Sequence, residues 1–177
     1  MIKSTIAETN PMLEPPRALE DLLLYRLSRL QAVAGGMVLR LCEGRFGITR
    51  REWRLLLVLA DRGTLGSSAL ADAAQLDRAR TSRAIGSLVE KQLVARTAMP
   101  GDRRQVMLAL TAEGRRLHAQ LFPLVARLQH DLLAALDPAA VAALDAALAR
   151  LQAQAEALAA TAALPKANRR RRPPVAP

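Results

Sequence analysis

Apolar residues in this chain recur at intervals of three and four almost throughout, and the one departure lies between Leu93 and Leu110. Helical spacing runs through Leu19, Leu22, Leu23, Leu27, Leu30, Val33, Met37, Val38 and Leu41, and again through Leu117, Leu121, Leu124, Leu128 and Leu132. In the departure, Val106, Leu108 and Leu110 alternate, the two-residue period of a strand with one buried face. Leu93–Ala98 suits its partner strand, and Met99-Pro100-Gly101-Asp102-Arg103-Arg104 between them is turn-rich. The fold expected is mainly α, with a small two- to three-stranded β wing. Aromatics are only 2% of a chain that is 51% hydrophobic, so Leu, Ala and Val must build the core, which again favours helices.

The remaining helices are placed by their end signals. The first long helix is expected over Arg17 to about Arg45, with Gly35-Gly36 marking a kink or a close helix contact. Thr49 and Glu52 form a capping box for a helix to Arg62, with Trp53, Leu56, Leu57 and Ala60 as its buried stripe and Gly63 as its stop. A short helix over Ser67–Ala74 is capped by Ser67 or Ser68 and turns at Gln75-Leu76 into the next one. Thr111 caps a helix to about Leu136 that contains Pro123, and Asp137-Pro138 opens the last helix. Its Leu144, Leu148, Leu151, Ala155 and Leu158 repeat at 4-3-4-3 spacing, a coiled-coil-like seam.

The helix that begins at Asp77 carries the chemistry. Asp77 is its N-cap, and Thr81, Ile85, Leu88 and Val89 form a narrow apolar stripe. The opposite face holds Ala79, Ser82, Arg83, Gly86 and Ser87, with Arg78 and Arg80 on the flanks. Small residues let a backbone approach the floor of a DNA groove, while Ser and Arg donate to phosphates and base edges. Charge placement agrees. Of the 26 Lys and Arg residues, seven lie between Arg78 and Arg104 against two acids, and five more lie between Pro165 and Pro177 against none. The rest of the chain is neutral, so the excess of +10 sits where a polyanion would be met.

Helix and hairpin together resemble the winged helix-turn-helix of the MarR family of bacterial transcription regulators. The resemblance rests on Leu76-Asp77-Arg78, Ser82-Arg83 and Leu88-Val89-Glu90-Lys91-Gln92-Leu93-Val94. It continues through Asp102-Arg103-Arg104 and Leu110-Thr111-Ala112-Glu113-Gly114 and covers roughly Arg17 to Leu158. The family usually has glycine where this chain has Gln92; glycine suits the left-handed cap that ends such a helix. The resemblance implies a homodimer that reads a palindromic operator in double-stranded DNA, as a repressor released by a small effector, an aromatic acid or a phenol. Arg78, Ala79, Arg80, Ser82, Arg83 and Ser87 would be DNA-contacting residues of the recognition helix. Asp102, Arg103 and Arg104 would be those of the wing, with Asp102 orienting an arginine. Tyr25, Arg29 and Trp53 are the candidate effector pocket, with a place in the core as the alternative for Trp53 and Tyr25.

Domain boundaries follow: a mobile arm over 1–16, a dimerisation helix over 17–48, the DNA-binding domain over 49–111, C-terminal dimerisation helices over 112–160 and a basic disordered tail over 161–177. Two other readings stay open: peroxide sensing through Cys42, and architectural DNA binding without a preferred sequence. An enzyme is not expected, for want of a nucleophile–base arrangement or a phosphate-binding glycine loop. No metal or cofactor is expected either. His118 and His130, the only histidines, lie twelve residues apart on one helix, about 18 Å, and cannot share an ion. No apolar run reaches the roughly 18 residues of a membrane span, and a single cysteine suits a reducing compartment, so a cytoplasmic protein is expected.

Overall fold

The computed structural model describes residues 13, 15–99 and 102–163, and at 99 and 102–105 the backbone alone. The arm expected over 1–16 and the tail over 161–177 fall largely outside these residues. The chain divides into two compact units after Gln129.

In the first unit the long helix begins later than its spacing suggests. The Asp21 carboxylate accepts hydrogen bonds from the Arg17 and Ala18 N–H groups at 2.8 and 2.9 Å, which closes a separate 3-10 turn over Leu19–Asp21. Leu22 is extended, and α1 then runs over Leu23–Phe46 without a break at Gly35-Gly36. Gly35 is buried, and a Cβ there would collide with the Arg50 guanidinium and the Gln31 amide, so this glycine serves a close contact. Gly47, at φ 63°, ends α1 in the left-handed conformation.

The next helix, α2 (Arg50–Arg62), opens with the expected capping box. The Glu52 N–H donates to Thr49 Oγ1 at 3.1 Å and the Thr49 N–H to Glu52 Oε2 at 2.6 Å. Its buried face comprises Glu52, Trp53, Leu55, Leu56 and Leu59; Ala60, expected inside, is exposed. Trp53 and Leu56 of the expected stripe are in the core and Leu57 packs against it, while Leu55 and Leu59 widen the buried face to one side.

A short strand not foreseen in the spacing follows, β1 (Leu65–Gly66), and then α3 (Ser67–Ala73). The N-cap of α3 is Gly66, and no serine side chain caps it. The recognition-type helix α4 (Arg78–Glu90) leads into β2 (Val94–Met99) and β3 (Asp102–Leu110). The sheet order is β1-β3-β2, all antiparallel. β1 pairs only Leu65 with Leu108 and Gly66 with Met107, so β3 has neighbours on both sides at its base and one neighbour beyond. Leu108 is fully buried there while Val106 is 40% exposed.

The core of this unit gathers Ile48, Leu56, Leu70, Leu88, Leu108 and Leu121 from six different segments. Each leucine buried there contributes roughly 1.5–3 kcal/mol. α5 (Ala112–Leu133) is held against it at its start. Thr111 Oγ1 accepts from the Gly114 N–H at 2.9 Å and donates to the Gln92 carbonyl at 2.7 Å. Gly114 packs directly on the Leu93 carbonyl, where a Cβ has no room. Of the five leucines expected inward on α5, Leu121 is fully buried and Leu132 is 43% exposed.

The second unit contains the end of α5 and α6 (Pro138–Thr161). Asp137 caps α6, its carboxylate accepting from the Ala140 N–H at 2.8 Å, with Pro138 at the first helical position. No residue of α6 is buried.

Candidate DNA-recognition surface

The start of α4 is set by Asp77, whose Oδ1 accepts from the Arg80 N–H at 2.8 Å while its Oδ2 lies 3.1 Å from Arg80 Nε. That ion pair is exposed and of small energy, but it draws Arg80 back along the helix axis. Arg78, Ala79, Ser82 and Arg83 are exposed beside it. Thr81, Ala84, Ile85 and Leu88 are buried, so the helix shows its hydroxyl- and arginine-bearing face because its other face is in the core.

Ser87, on the same face, is half-buried, whereas Arg78, Ala79, Arg80, Ser82 and Arg83 are exposed. Gly86 is half-buried, with open space where a Cβ would stand.

The end of α4 is a left-handed cap on a non-glycine residue. Gln92 takes φ 58°, its N–H reaches the Val89 carbonyl and the Leu93 N–H reaches the Leu88 carbonyl, both at 2.9 Å. This is the paired bonding of a Schellman motif, closed by the apolar contact of Leu93 with Leu88. The end of α3 repeats it: Gln75 sits at φ 52°, and the Leu76 N–H reaches the Ala71 carbonyl at 3.0 Å. The glutamine at 92 therefore adopts the conformation expected of glycine, and Gln75 does the same with no warning in the sequence.

Asp102, Arg103 and Arg104 were expected in the turn. Their backbone instead forms the first three residues of β3, with Met99 paired to Asp102 across the hairpin. Their side chains lie outside the described residues.

None of the clefts among the described residues is lined by Tyr25, Arg29 or Trp53. The Arg29 guanidinium lies over the Tyr25 ring, 6.0 Å from its centre, on the accessible face of α1. Trp53 is a core residue whose ring stacks on His118 at 5.5 Å, and His118 in turn stacks on Phe122 at 5.4 Å. Burial lowers the His118 pKa, which favours the neutral imidazole. His118 and Arg115 border a cleft of about 470 Å³ whose apolar wall includes Leu59, Ala60 and Leu110. Arg115 is tied to the Leu110 carbonyl at 2.7 Å, so its cation is held at the mouth. No motif in the sequence joins 59 to 118.

Cys42 is fully buried. Burial raises its thiol pKa, Glu43 raises it further and Arg50 offsets part of this, so the unreactive protonated form dominates. Peroxide sensing through Cys42 finds no support in this geometry. Among the described residues no three His, Cys, Asp or Glu side chains cluster to hold a metal, and no single helix is long and apolar enough to cross a membrane.

The match to known proteins follows these elements. A family model described as MarR family matches residues 46–105, from the end of α1 into the wing. The regulatory protein assigned to the hcr operon of Thauera aromatica is 32% identical over 130 residues, covering 73% of this chain and 78% of that protein. The chain belongs to the MarR family. Its relatives are transcriptional regulators and not enzymes, and the winged-helix fold extends to solved structures of the family. A MarR-family regulator from Silicibacter pomeroyi superposes with a TM-score of 0.67 at 23% identity, covering 78% of this chain and 93% of that one. NadR in complex with 4-hydroxyphenylacetate gives a TM-score of 0.61 at 28% identity, covering 71% of this chain and 89% of that one.

Proposed function

We propose that this MarR-family regulator is a homodimeric repressor that reads a two-fold symmetric operator. Arg78, Ala79, Arg80, Ser82 and Arg83 make the major-groove and phosphate contacts. The exposed arginine-bearing face of α4, pinned by a buried opposite face, is the observation that carries this reading. Ser87, half-buried on the same face, stands at the edge of this set. Arg103 and Arg104 add contacts from the wing, to the minor groove or the adjoining backbone.

Residues 49–111 form the reading head, and α1 with the C-terminal helices forms the dimer. Support for the dimer comes from apolar side chains left in the open: Leu24 and Val33 on α1 are 78% and 76% exposed, and the α6 seam is exposed along its length. A second copy covers such rows. Two recognition helices then meet successive major grooves about 10 bp apart.

The effector is a small aromatic carboxylate seated by Arg115 and His118. A guanidinium at the mouth and a neutral ring on the wall suit a flat acid. NadR, the relative solved with 4-hydroxyphenylacetate, supports the ligand class. The ligand acts by favouring a dimer whose recognition helices are wrongly spaced for DNA.

The test is selection of bound sequences from a random duplex pool at physiological salt, repeated with 4-hydroxyphenylacetate present. An enriched palindrome released by the acid is the expected result. Arg83→Ala removes one base contact in each half-site, so it should weaken binding to that palindrome by about 30-fold or more and leave the dimer intact. Unchanged affinity would remove this face from the mechanism.

A further inference from the structure

Among the described residues Glu52 is the sole charged side chain in the core, 2% exposed. The capping box alone does not call for a charge there. A neutral glutamine closes the same box, and an ionised carboxylate out of water is costly unless it is paired.

The pairing comes from the far end of the recognition helix. Lys91 Nζ lies 2.9 Å from both Glu52 oxygens and also donates to the Gly47 carbonyl at 2.9 Å. An ammonium has three donors, and all three acceptors here are protein atoms. These atoms belong to three helix termini: Lys91 is the C-cap of α4, Gly47 is the C-cap of α1, and Glu52 stands in the first turn of α2. The second partner of the same carboxylate is the Thr49 N–H, at 2.6 Å from Oε2.

We propose that the Lys91–Glu52 contact, closed onto the Gly47 carbonyl, is a positioning device. It fixes the recognition helix against α1 and α2 and so sets how sharply the regulator separates its operator from other DNA. The proposal rests on the DNA-reading role given above for α4. Bidentate contacts to base edges tolerate displacements of only about 0.5 Å, whereas attraction to phosphates falls off gradually with distance. Loosening the far end of α4 therefore harms recognition of sequence more than general affinity. A contact kept only for stability would behave differently, since a buried ion pair is often replaced by neutral groups at no loss.

The experiment compares the full-length wild type with the double variant Glu52→Gln/Lys91→Met, which keeps the capping box and leaves no unpaired buried charge. Dissociation constants are measured on the selected palindrome and on a scrambled duplex of equal length at the same salt, alongside thermal unfolding. The expected result is a melting temperature within a few degrees of wild type, a scrambled-duplex Kd within about twofold, and a palindrome Kd raised about tenfold or more. An unchanged ratio of the two constants, or an equal weakening on both duplexes, overturns the proposal. Glu52→Gln alone decides the question if the double variant is unstable: it should lower the ratio about threefold, and a wild-type ratio overturns the idea. A wild-type protein that prefers no sequence defeats the reading head itself, and this proposal with it; a discriminating wild type beside an equally discriminating double variant defeats this proposal alone.

Discussion

α4 and α6 begin identically and end as opposites. Each is capped by an aspartate whose carboxylate accepts an N–H three residues on, at 2.8 Å. After that first turn α4 buries Thr81, Ala84, Ile85 and Leu88, whereas α6 buries nothing and leaves Leu144, Leu148, Leu151 and Leu158 at 40–56% exposure. Apolar spacing reports that a face exists; it does not say whether the same chain covers it. In α4 the face left over is polar and free for a ligand. In α6 the face left over is apolar, and it is the face to which the proposed dimer assigns a second copy.

Breaking the uncovered face should have the largest effect. Leu148→Asp with Leu151→Asp places two charges in the α6 seam, and the dimer should dissociate at micromolar concentration in sedimentation equilibrium. A dimer that survives would move the interface elsewhere. The covered face answers differently. Leu88→Ala should cost 2–5 kcal/mol in denaturant unfolding at fixed protein concentration, with the isolated palindrome contacts untouched in any folded fraction.

The charge inside α4's anchorage sharpens the contrast by pH. Burial alone raises the Glu52 pKa, but bonds from Ser87, the Thr49 N–H and Lys91 outweigh this and hold it below the usual carboxylate range. The unfolded chain thus binds the Glu52 proton more readily than the folded one. Its contribution to stability is complete above the unfolded value of about 4.3 and disappears as pH falls through the lower folded value. Acid titration of unfolding should show this loss in the wild type and a flatter profile in Glu52→Gln.

The smallest effect concerns Thr81, 1% exposed with no partner for its hydroxyl among the described residues. Thr81→Val removes that orphan at constant shape and should raise stability by about 1 kcal/mol without altering DNA affinity. A loss of stability would mean that the hydroxyl has a partner after all.

Local signals carry most of the helix ends, although neither Ser67 nor Ser68 caps α3. Asp77, Thr49 with Glu52, Gly63 and Asp137-Pro138 each mark a real helix end, because capping is a contact within four residues. The left-handed Gln92 was legible by its place in the family pattern. Ala60 is exposed and Ser87 half-buried for one shared reason: each lies at the edge of a helical stripe, where only the neighbouring element decides what is covered. β1 was invisible since two residues carry no period. The Glu52–Lys91 contact spans 39 residues and the Arg115–His118 cleft joins four segments, so nothing in spacing announces either.

Gly114 against the Leu93 carbonyl clamps the start of α5 onto the root of the wing with no room between them. The absence of a side chain at one position therefore sets the spacing of two elements that lie about twenty residues apart in the chain. Any residue larger than glycine would have to push the two backbones apart.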